Sequence, residues 1–375
     1  MSKNSVFGGR AHGLRLERMA ASALFRDGVF RNTSGVGSGL KPGTTFSTLG
    51  EFFAGGRART PPGRLPTEDP LATWARPADT GLRATWLGHS TVLLELDGMR
   101  VLTDPVWGER VSPTSFLGPK RFQPMPVSLA QLPPLDAVIV SHDHYDHLDH
   151  PTILELARTP VPFYTSLGVG AHLEAWGIPP ERIIELDWWE SAKLPRGELR
   201  ITAAPSQHFS GRGLGDRNRT LWSSFVVESP RHKVFFSGDT GLTPEYAEIR
   251  QRLGPFDLVM LEVGAWHPSW GDIHLGPENA LAALALLGGG ALLPVHWGTF
   301  NLALHAWDEP AETLVRLAEA RGTRLVMPRA GAAVEPARVE GMDPWWRAVG
   351  ARPLEPQAPS EPGDTAQATV RISAP

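Results

Sequence analysis

Nine residues, Ser141-His142-Asp143-His144-Tyr145-Asp146-His147-Leu148-Asp149, constrain this chain more than any other stretch. They follow the apolar run Ala137-Val138-Ile139-Val140, which reads as a buried strand. Polar groups at a strand exit sit on a loop held by a rigid sheet, where binding groups concentrate. His142 and His144 are two apart, so extended backbone points both imidazoles the same way. Asp146 and His147 follow where the chain turns, and can face the same point from another side. Imidazole nitrogen and carboxylate oxygen together suit zinc, at about 2.0 to 2.2 Å. The bland alternative is a solvated polar loop, but crowding three imidazoles is unfavourable unless they share something positive.

The chain has no cysteine. Disulfides, thiolate zinc sites and a cysteine nucleophile are therefore excluded, and any metal must be held by His, Asp and Glu. With 375 residues, 41% of them hydrophobic, it can build one large domain or two small ones. A net charge of -4 offers no basic field, so nucleic acid is not an expected partner. Met19 to Phe25, behind Arg15 and Arg18, makes a poor signal peptide. Nothing approaches the ~20 apolar residues of a spanning helix. A soluble cytoplasmic protein is expected, with room for peripheral membrane contact and with the periplasm left open.

Three regions are expected. Residues 1–80 form an N-terminal extension packing on the body, 81–335 the body, and 336–375 a tail that is disordered after 350. Met19 to Phe30 reads as a short helix. Phe46, Leu49, Phe52 and Phe53 lie at helical spacing and favour packing on the body over touching lipid. Strands are expected at 84–87, 91–96, 99–102, 183–186, 199–203, 221–227, 233–236, 258–261 and 291–295, and 324–327 reads as the last. Asp97-Gly98 marks a hairpin. Helices are expected from Asp149 with Pro151 in the first turn, over 277–287 and over 310–321. The long segment 106–134 reads as a functional loop or lid. This order suggests an α/β (α+β) architecture of two packed sheets with helices outside.

Three further ligand-type residues also leave apolar strands: His208, Asp239 and His296. Four strand exits then carry seven candidates, too many for one tetrahedral ion. Two ions about 3.5 to 4 Å apart would use them all. His142, His144 and His208 are assigned to one and Asp146, His147 and His296 to the other. Asp239 bridges, flanked by Gly238 and Gly241, which permit a sharp turn. Two zinc ions are expected, although iron or manganese suit the same ligands. Asp104, just after a strand, reads as an acceptor that orients a ligand imidazole, against a turn-forming Asp.

The run His-Asp-His-Tyr-Asp-His at 142–147, with His208, Gly238-Asp239-Thr240-Gly241 and His296, resembles the metallo-β-lactamase-fold hydrolase superfamily. More narrowly, Trp86-Leu-Gly-His-Ser-Thr, Leu102-Thr-Asp-Pro, Gly118-Pro-Lys-Arg-Phe, Glu185-Leu-Asp-Trp-Trp, Pro205-Ser-Gln-His, Gly254-Pro-Phe-Asp-Leu and His296-Trp-Gly-Thr-Phe resemble the N-acyl-phosphatidylethanolamine-hydrolysing phospholipase D group. The resemblance implies a four-layer αβ/βα sandwich with zinc at the sheet edge. Phe209-Ser210 stands where animal members are expected to have Trp-Cys, which bears on acyl-chain fit rather than on the metals.

A hydroxide shared by two zinc ions is a nucleophile near neutral pH. A phosphodiester fits that chemistry, and the resemblance implies hydrolysis of a glycerophospholipid to phosphatidic acid. Asp146 is expected to be indispensable for catalysis. By resemblance His274 contacts the phosphate or protonates the leaving oxygen; its alternative is a surface-loop histidine. Tyr145 lines the site or packs on it. Trp266, with Trp188, Trp189 and Trp270, walls an acyl groove or serves the core. Lys120, Arg121, Arg212, Arg217 and Arg219 are phosphate-binding candidates, with solvated surface charge expected for most. His89, His150, His12, His172, His232, His267 and His305 take ordinary structural readings. A lactonase or esterase acting on a soluble sugar-phosphate-like substrate, and a non-enzymatic metal-binding scaffold, are the competing functions. Oligomeric state has no mark in the sequence.

Overall fold

The computed structural model describes residues 5–37 and 56–349. The packing expected of Phe46, Leu49, Phe52 and Phe53, and the disorder expected after residue 350, lie outside the described residues. A short hairpin, β1 (Phe25–Arg26) and β2 (Val29–Phe30), precedes the body. Next come β3 (Leu82–Gly88), β4 (Thr91–Leu96), β5 (Met99–Thr103), β6 (Ala137–Val140), β7 (Phe163–Ser166) and β8 (Ile183–Leu186). A second series follows: β9 (Ser191–Lys193), β10 (Arg200–Ala204), β11 (Ser224–Glu228), β12 (Lys233–Phe236), β13 (Leu258–Glu262) and β14 (Ala291–Val295). β15 (Ala333–Val334) returns to the edge of the first sheet. The sheets run β15-β3-β4-β5-β6-β7-β8 and β14-β13-β12-β11-β10-β9.

Side-chain alternation explains why both sheets are covered on two faces. Val92, Leu94 and Leu96 of β4 and Ala137 and Ile139 of β6 join the core between the sheets, with Ile201, Phe225 and Phe235 of the second sheet. Leu93, Val138 and Val140 point the other way, into a cluster with Ile153, Leu156 and Leu173 from the helices His150–Leu156 and Gly170–Ala175. A one-residue slip of β6 would exchange these two sets, so its register is fixed by burial. The helices Gly276–Leu286 and Glu309–Arg321 pack over the second sheet, with Leu281, Leu284 and Leu314 in the same core. The result is mixed sheets flanked by helices, an α/β sandwich. Among the described residues, no helix is long and apolar enough to cross a membrane.

The sequence expectation fails at three places. Met19 to Phe30 is not one helix: the helix is Gly13–Ala21, and the β1–β2 hairpin follows. Asp27 and Gly28, at φ 56° and 78°, make the tight turn that joins β1 to β2. The expected strand at 324–327 is only a single bridge, Leu292 to Leu325, so the last strand is β15, antiparallel to β3. The strand expected from Leu221 begins at Ser224, because Leu221 instead donates its N–H to the Leu167 carbonyl at 2.8 Å.

The N-terminal segment reaches the functional edge of the sheets. Met19 and Phe30 pack with Leu167, Leu221 and Trp222. Asn32 brackets His208 from both sides: its amide donates to the His208 carbonyl at 2.9 Å, and its oxygen accepts the His208 N–H at 3.1 Å. Trp345 and Trp346 are buried against Trp297, and the Trp346 indole donates to Glu312 at 2.7 Å.

Candidate metal centre

The ligand-type residues lie at one edge because their strands run the same way. β3 and β5 both pair antiparallel with β4, and β6 is parallel to β5. β10 and β12 both pair antiparallel with β11, and β13 and β14 continue parallel to β12. The C-terminal ends of β3, β5 and β6 therefore share an edge, as do those of β10, β12, β13 and β14. From these ends the chain delivers, in order, His89, Asp104, the 142–147 run, His208, Asp239, Glu262 and His296.

Among the described residues, ligand atoms gather in three groups, those of each all within 4.8 Å of one another: His142, His144, His208 and Asp239; His89, Asp146, His147 and His296; and Asp239, Glu262, His274 and His296. In the first, His144 Nδ1 is 2.9 Å from His142 Nε2 and 3.2 Å from His208 Nε2. In the second, Asp146 Oδ2 is 3.5 Å from His147 Nε2 and 3.3 Å from His296 Nε2. Asp239 Oδ2 touches both. It lies 3.1 Å from each of the His147 and His296 Nε2 atoms, and 3.9 and 3.7 Å from His142 and His208. Four ligands about 2.0 to 2.1 Å from one tetrahedral ion stand roughly 3.3 Å apart, so these separations are those of donors arranged around cations.

The donors' chemistry agrees with that fit. The buried atoms His147 Nε2, His296 Nε2 and Asp239 Oδ1 lack a hydrogen-bond partner of acceptable geometry, although carboxylate oxygen lies close to both imidazoles. Burial, then the neighbouring histidines, holds His142 well below the usual imidazole range. Burial would depress His147 and His296 too, but Asp239 and Asp146 outweigh it, and His296 is pushed up to about 10. Burial raises Asp239, but His147 and His296 outweigh that and hold it well below the usual carboxylate range. The carboxylates thus demand positive charge. Protonated imidazoles could supply it only by giving up the lone pairs that face the cluster, whereas a cation supplies it and leaves them neutral.

The surrounding contacts hold the imidazoles in place. Asp104 Oδ2 accepts His147 Nδ1–H and the Ser141 hydroxyl, both at 2.6 Å, and its Oδ1 accepts the Ser141 N–H at 2.7 Å. The His208 Nδ1–H points to the Ile273 carbonyl at 2.9 Å. Asp143 joins the motif to the loop after His208, accepting the Gly211 N–H at 2.7 Å and the Thr220 hydroxyl at 2.9 Å. In Asp104→Asn one acceptor becomes a donor facing a donor. Metal affinity, measured by chelator competition, is expected to fall about 10- to 100-fold; a value equal to wild type would contradict the orienting role.

The other expected residues are distributed unevenly. His274 stands beside the cluster, its ring 5.0 Å from His208 and 5.5 Å from His296. The Tyr145 hydroxyl donates to the Arg212 carbonyl at 2.6 Å, and its ring lies under the Arg212 guanidinium, so packing occupies much of it. Trp266 stacks on His305 with ring centroids 4.2 Å apart. Trp188 donates to the Trp222 carbonyl, and Trp189 lies under Arg252. Trp270 lines a cleft of about 750 Å³ with Arg59, Lys120, Phe122, Leu302 and Leu304. Surface charge is the wrong description of Arg121 and Arg212. Both are buried, Arg121 donating to the Val106 carbonyl and Arg212 to the Asp143 and Leu148 carbonyls.

Two residues of the site were missed from the sequence. His89 is not merely structural: its Nε2 lies 3.1 Å from Asp146 Oδ2. It adopts φ 52°, held by Thr299 Oγ1 on its N–H and by the His296 N–H and the Trp86 indole on its carbonyl. Glu262 is fully buried at the end of β13, with Oε2 2.6 Å from His274 Nδ1. Both follow apolar strand residues, the same signal that singled out His208, Asp239 and His296.

A model of the β-lactamase superfamily domain matches residues 99–297. A Mycobacterium tuberculosis (strain ATCC 25618 / H37Rv) protein, described as uncharacterized, is 44% identical over 338 residues, covering 87% of this chain and 88% of its own. The N-acyl-phosphatidylethanolamine-hydrolyzing phospholipase D 1 of Caenorhabditis elegans is 38% identical over 255 residues, 65% of this chain and 72% of its own. Among solved structures, the isothiocyanate hydrolase from Delia radicum gut bacteria shares the fold, with a TM-score of 0.54 at 23% identity over 68% of this chain and 98% of that one.

Proposed function

Since the chain belongs to the β-lactamase superfamily, as a metal-dependent hydrolase of that group, we propose that it cleaves a phosphodiester in a glycerophospholipid of the N-acyl-phosphatidylethanolamine kind. The observation that carries this reading is Asp239 Oδ2, one carboxylate oxygen shared between two sets of imidazoles. It supports a pair of cations, zinc first, held by His142, His144 and His208 on one side and Asp146, His147 and His296 on the other. When bound, such a pair supplies an activated water and Lewis acidity toward a phosphoryl oxygen.

The residues divide the remaining work. Asp146 completes the second set and lies within reach of His89. His274, beside both sets, protonates the departing alkoxide in this reading. Water adds to phosphorus, the bond from phosphorus to the head-group oxygen breaks, and phosphatidic acid and an N-acylethanolamine leave. The cleft lined by Trp270, Phe122, Leu302 and Leu304, with Arg59 and Lys120, supports a lipid. It combines apolar wall with positive charge, as an anionic phospholipid requires. The Trp270 ring, 6.2 Å from His274, joins the cleft to the site. Tyr145 and Trp266 complete the surroundings of the substrate in this reading, and a peripheral meeting with the bilayer follows from it.

The deciding experiment incubates protein purified without chelator with vesicles containing N-acyl-phosphatidylethanolamine and, separately, with sugar-phosphate lactones. Phosphatidic acid detected by mass spectrometry is the expected product, and elemental analysis is expected to find zinc. Lactone opening with the lipid untouched would replace this reading by the lactonase one.

A further inference from the structure

We propose that Glu262 is a positioning residue for proton transfer by His274, an inference that rests on the hydrolase reading above and extends it to a residue outside the ligand set. Glu262 Oε2 lies 2.6 Å from His274 Nδ1. Its Oε1 accepts the Thr240 N–H at 2.7 Å and the Leu275 N–H at 3.2 Å. One carboxylate thus ties the loop just after Asp239 to the turn that carries His274. It is fully buried and, among the described residues, pairs with no lysine or arginine. A carboxylate in such a place costs several kcal/mol unless its hydrogen bonds are complete. Here three are made, and among the described residues the one to an ionisable group is to His274.

That contact determines what His274 can do. With Nδ1–H committed to Glu262, the exchangeable position is Nε2, the ring nitrogen directed away from Glu262. The ring is fixed on its flanks by His208 and Trp270, at 5.0 and 6.2 Å between centroids. The arrangement is a carboxylate–imidazole pair, in which the carboxylate sets the tautomer and the imidazole meets the substrate. The two backbone N–H groups need only a neutral acceptor, which a glutamine would also provide. A charge is needed only to hold Nδ1–H while Nε2 hands a proton to the leaving oxygen.

Glu262→Gln separates the two roles. The holoenzyme and the variant are compared on two phosphodiesters: N-acyl-phosphatidylethanolamine, whose alkoxide leaves poorly without a proton, and bis(p-nitrophenyl) phosphate, whose phenolate leaves unaided. The expected result is a fall in kcat of about 10²-fold or more on the lipid and no more than about threefold on the nitrophenyl ester. KM and metal content are expected to stay unchanged. His274→Gln should give the same pattern, and the double variant should be no worse than either single one. Equal losses on both substrates, additive losses, or lost metal would overturn the assignment. A readout independent of activity uses ¹⁵N-histidine NMR of the zinc-loaded protein. His274 is expected to carry its proton on Nδ1 in the parent and to lose that preference in Glu262→Gln; an Nε2 proton in the parent overturns the proposal. If the parent cleaves neither phosphodiester, the substrate reading fails, while the NMR result still decides the role of Glu262.

Discussion

Asp239→Asn is expected to empty both of the proposed cation sites at once. Its Oδ2 approaches donors of both groups: His147 and His296 on one side, His142 and His208 on the other. Asparagine keeps the shape and one carbonyl oxygen but removes the charge that holds His147 and His296 high and that two cations would share. Several kcal/mol of transition-state stabilisation come from such ions, and each 1.36 kcal/mol is tenfold in rate, so hydrolysis should fall by roughly 10³-fold or more. The fold should persist, because the sheet core does not depend on this carboxylate. Elemental analysis and circular dichroism together check the claim. Retention of both ions in the variant would show that Asp239 does not bridge.

Asp146→Asn should have a comparable effect on rate with a different metal signature. Asp146 Oδ2 reaches only the second group, lying 3.1 Å from His89, 3.5 Å from His147 and 3.3 Å from His296. One ion should be lost and the other, among His142, His144 and His208, retained. Hydrolysis of whatever substrate is established should be abolished, by roughly 10³-fold, with the melting temperature of the metal-free protein little changed. Undiminished hydrolysis in this variant would favour a binding scaffold over an enzyme.

The ligand-type residues were legible because they obey a local rule, a titratable side chain directly after an apolar strand or within a few residues of its end. That rule needs no knowledge of the fold and picks out His142 to His147, His208, Asp239 and His296. It applies equally to His89, which was read as structural, and to Glu262, which was not singled out. The β1–β2 hairpin was misread although Asp27-Gly28 is the same dipeptide as Asp97-Gly98, read correctly further on. The helix Gly13–Ala21 ends before this point, and Asp27 and Gly28, at φ 56° and 78°, reverse the chain into the hairpin. The bead-like run 324–327 resembled a strand but forms one bridge only, since pairing depends on the partner's backbone and not on local propensity.

The sequence by itself determined most element types, the two-sheet class and the chemistry of the donors, because side-chain periodicity and the lack of cysteine are local properties. Only the tertiary structure decided which donors face one another. Strand direction brings the ends of β3, β6, β10, β12, β13 and β14 to one edge, and separations of 3.1 to 3.9 Å arise between Asp239 and histidines up to 97 positions away, the farthest being His142. Buried Arg121 and Arg212, and the hold of Glu262 on His274, likewise follow from packing, since burial is set by what the rest of the chain lays on top.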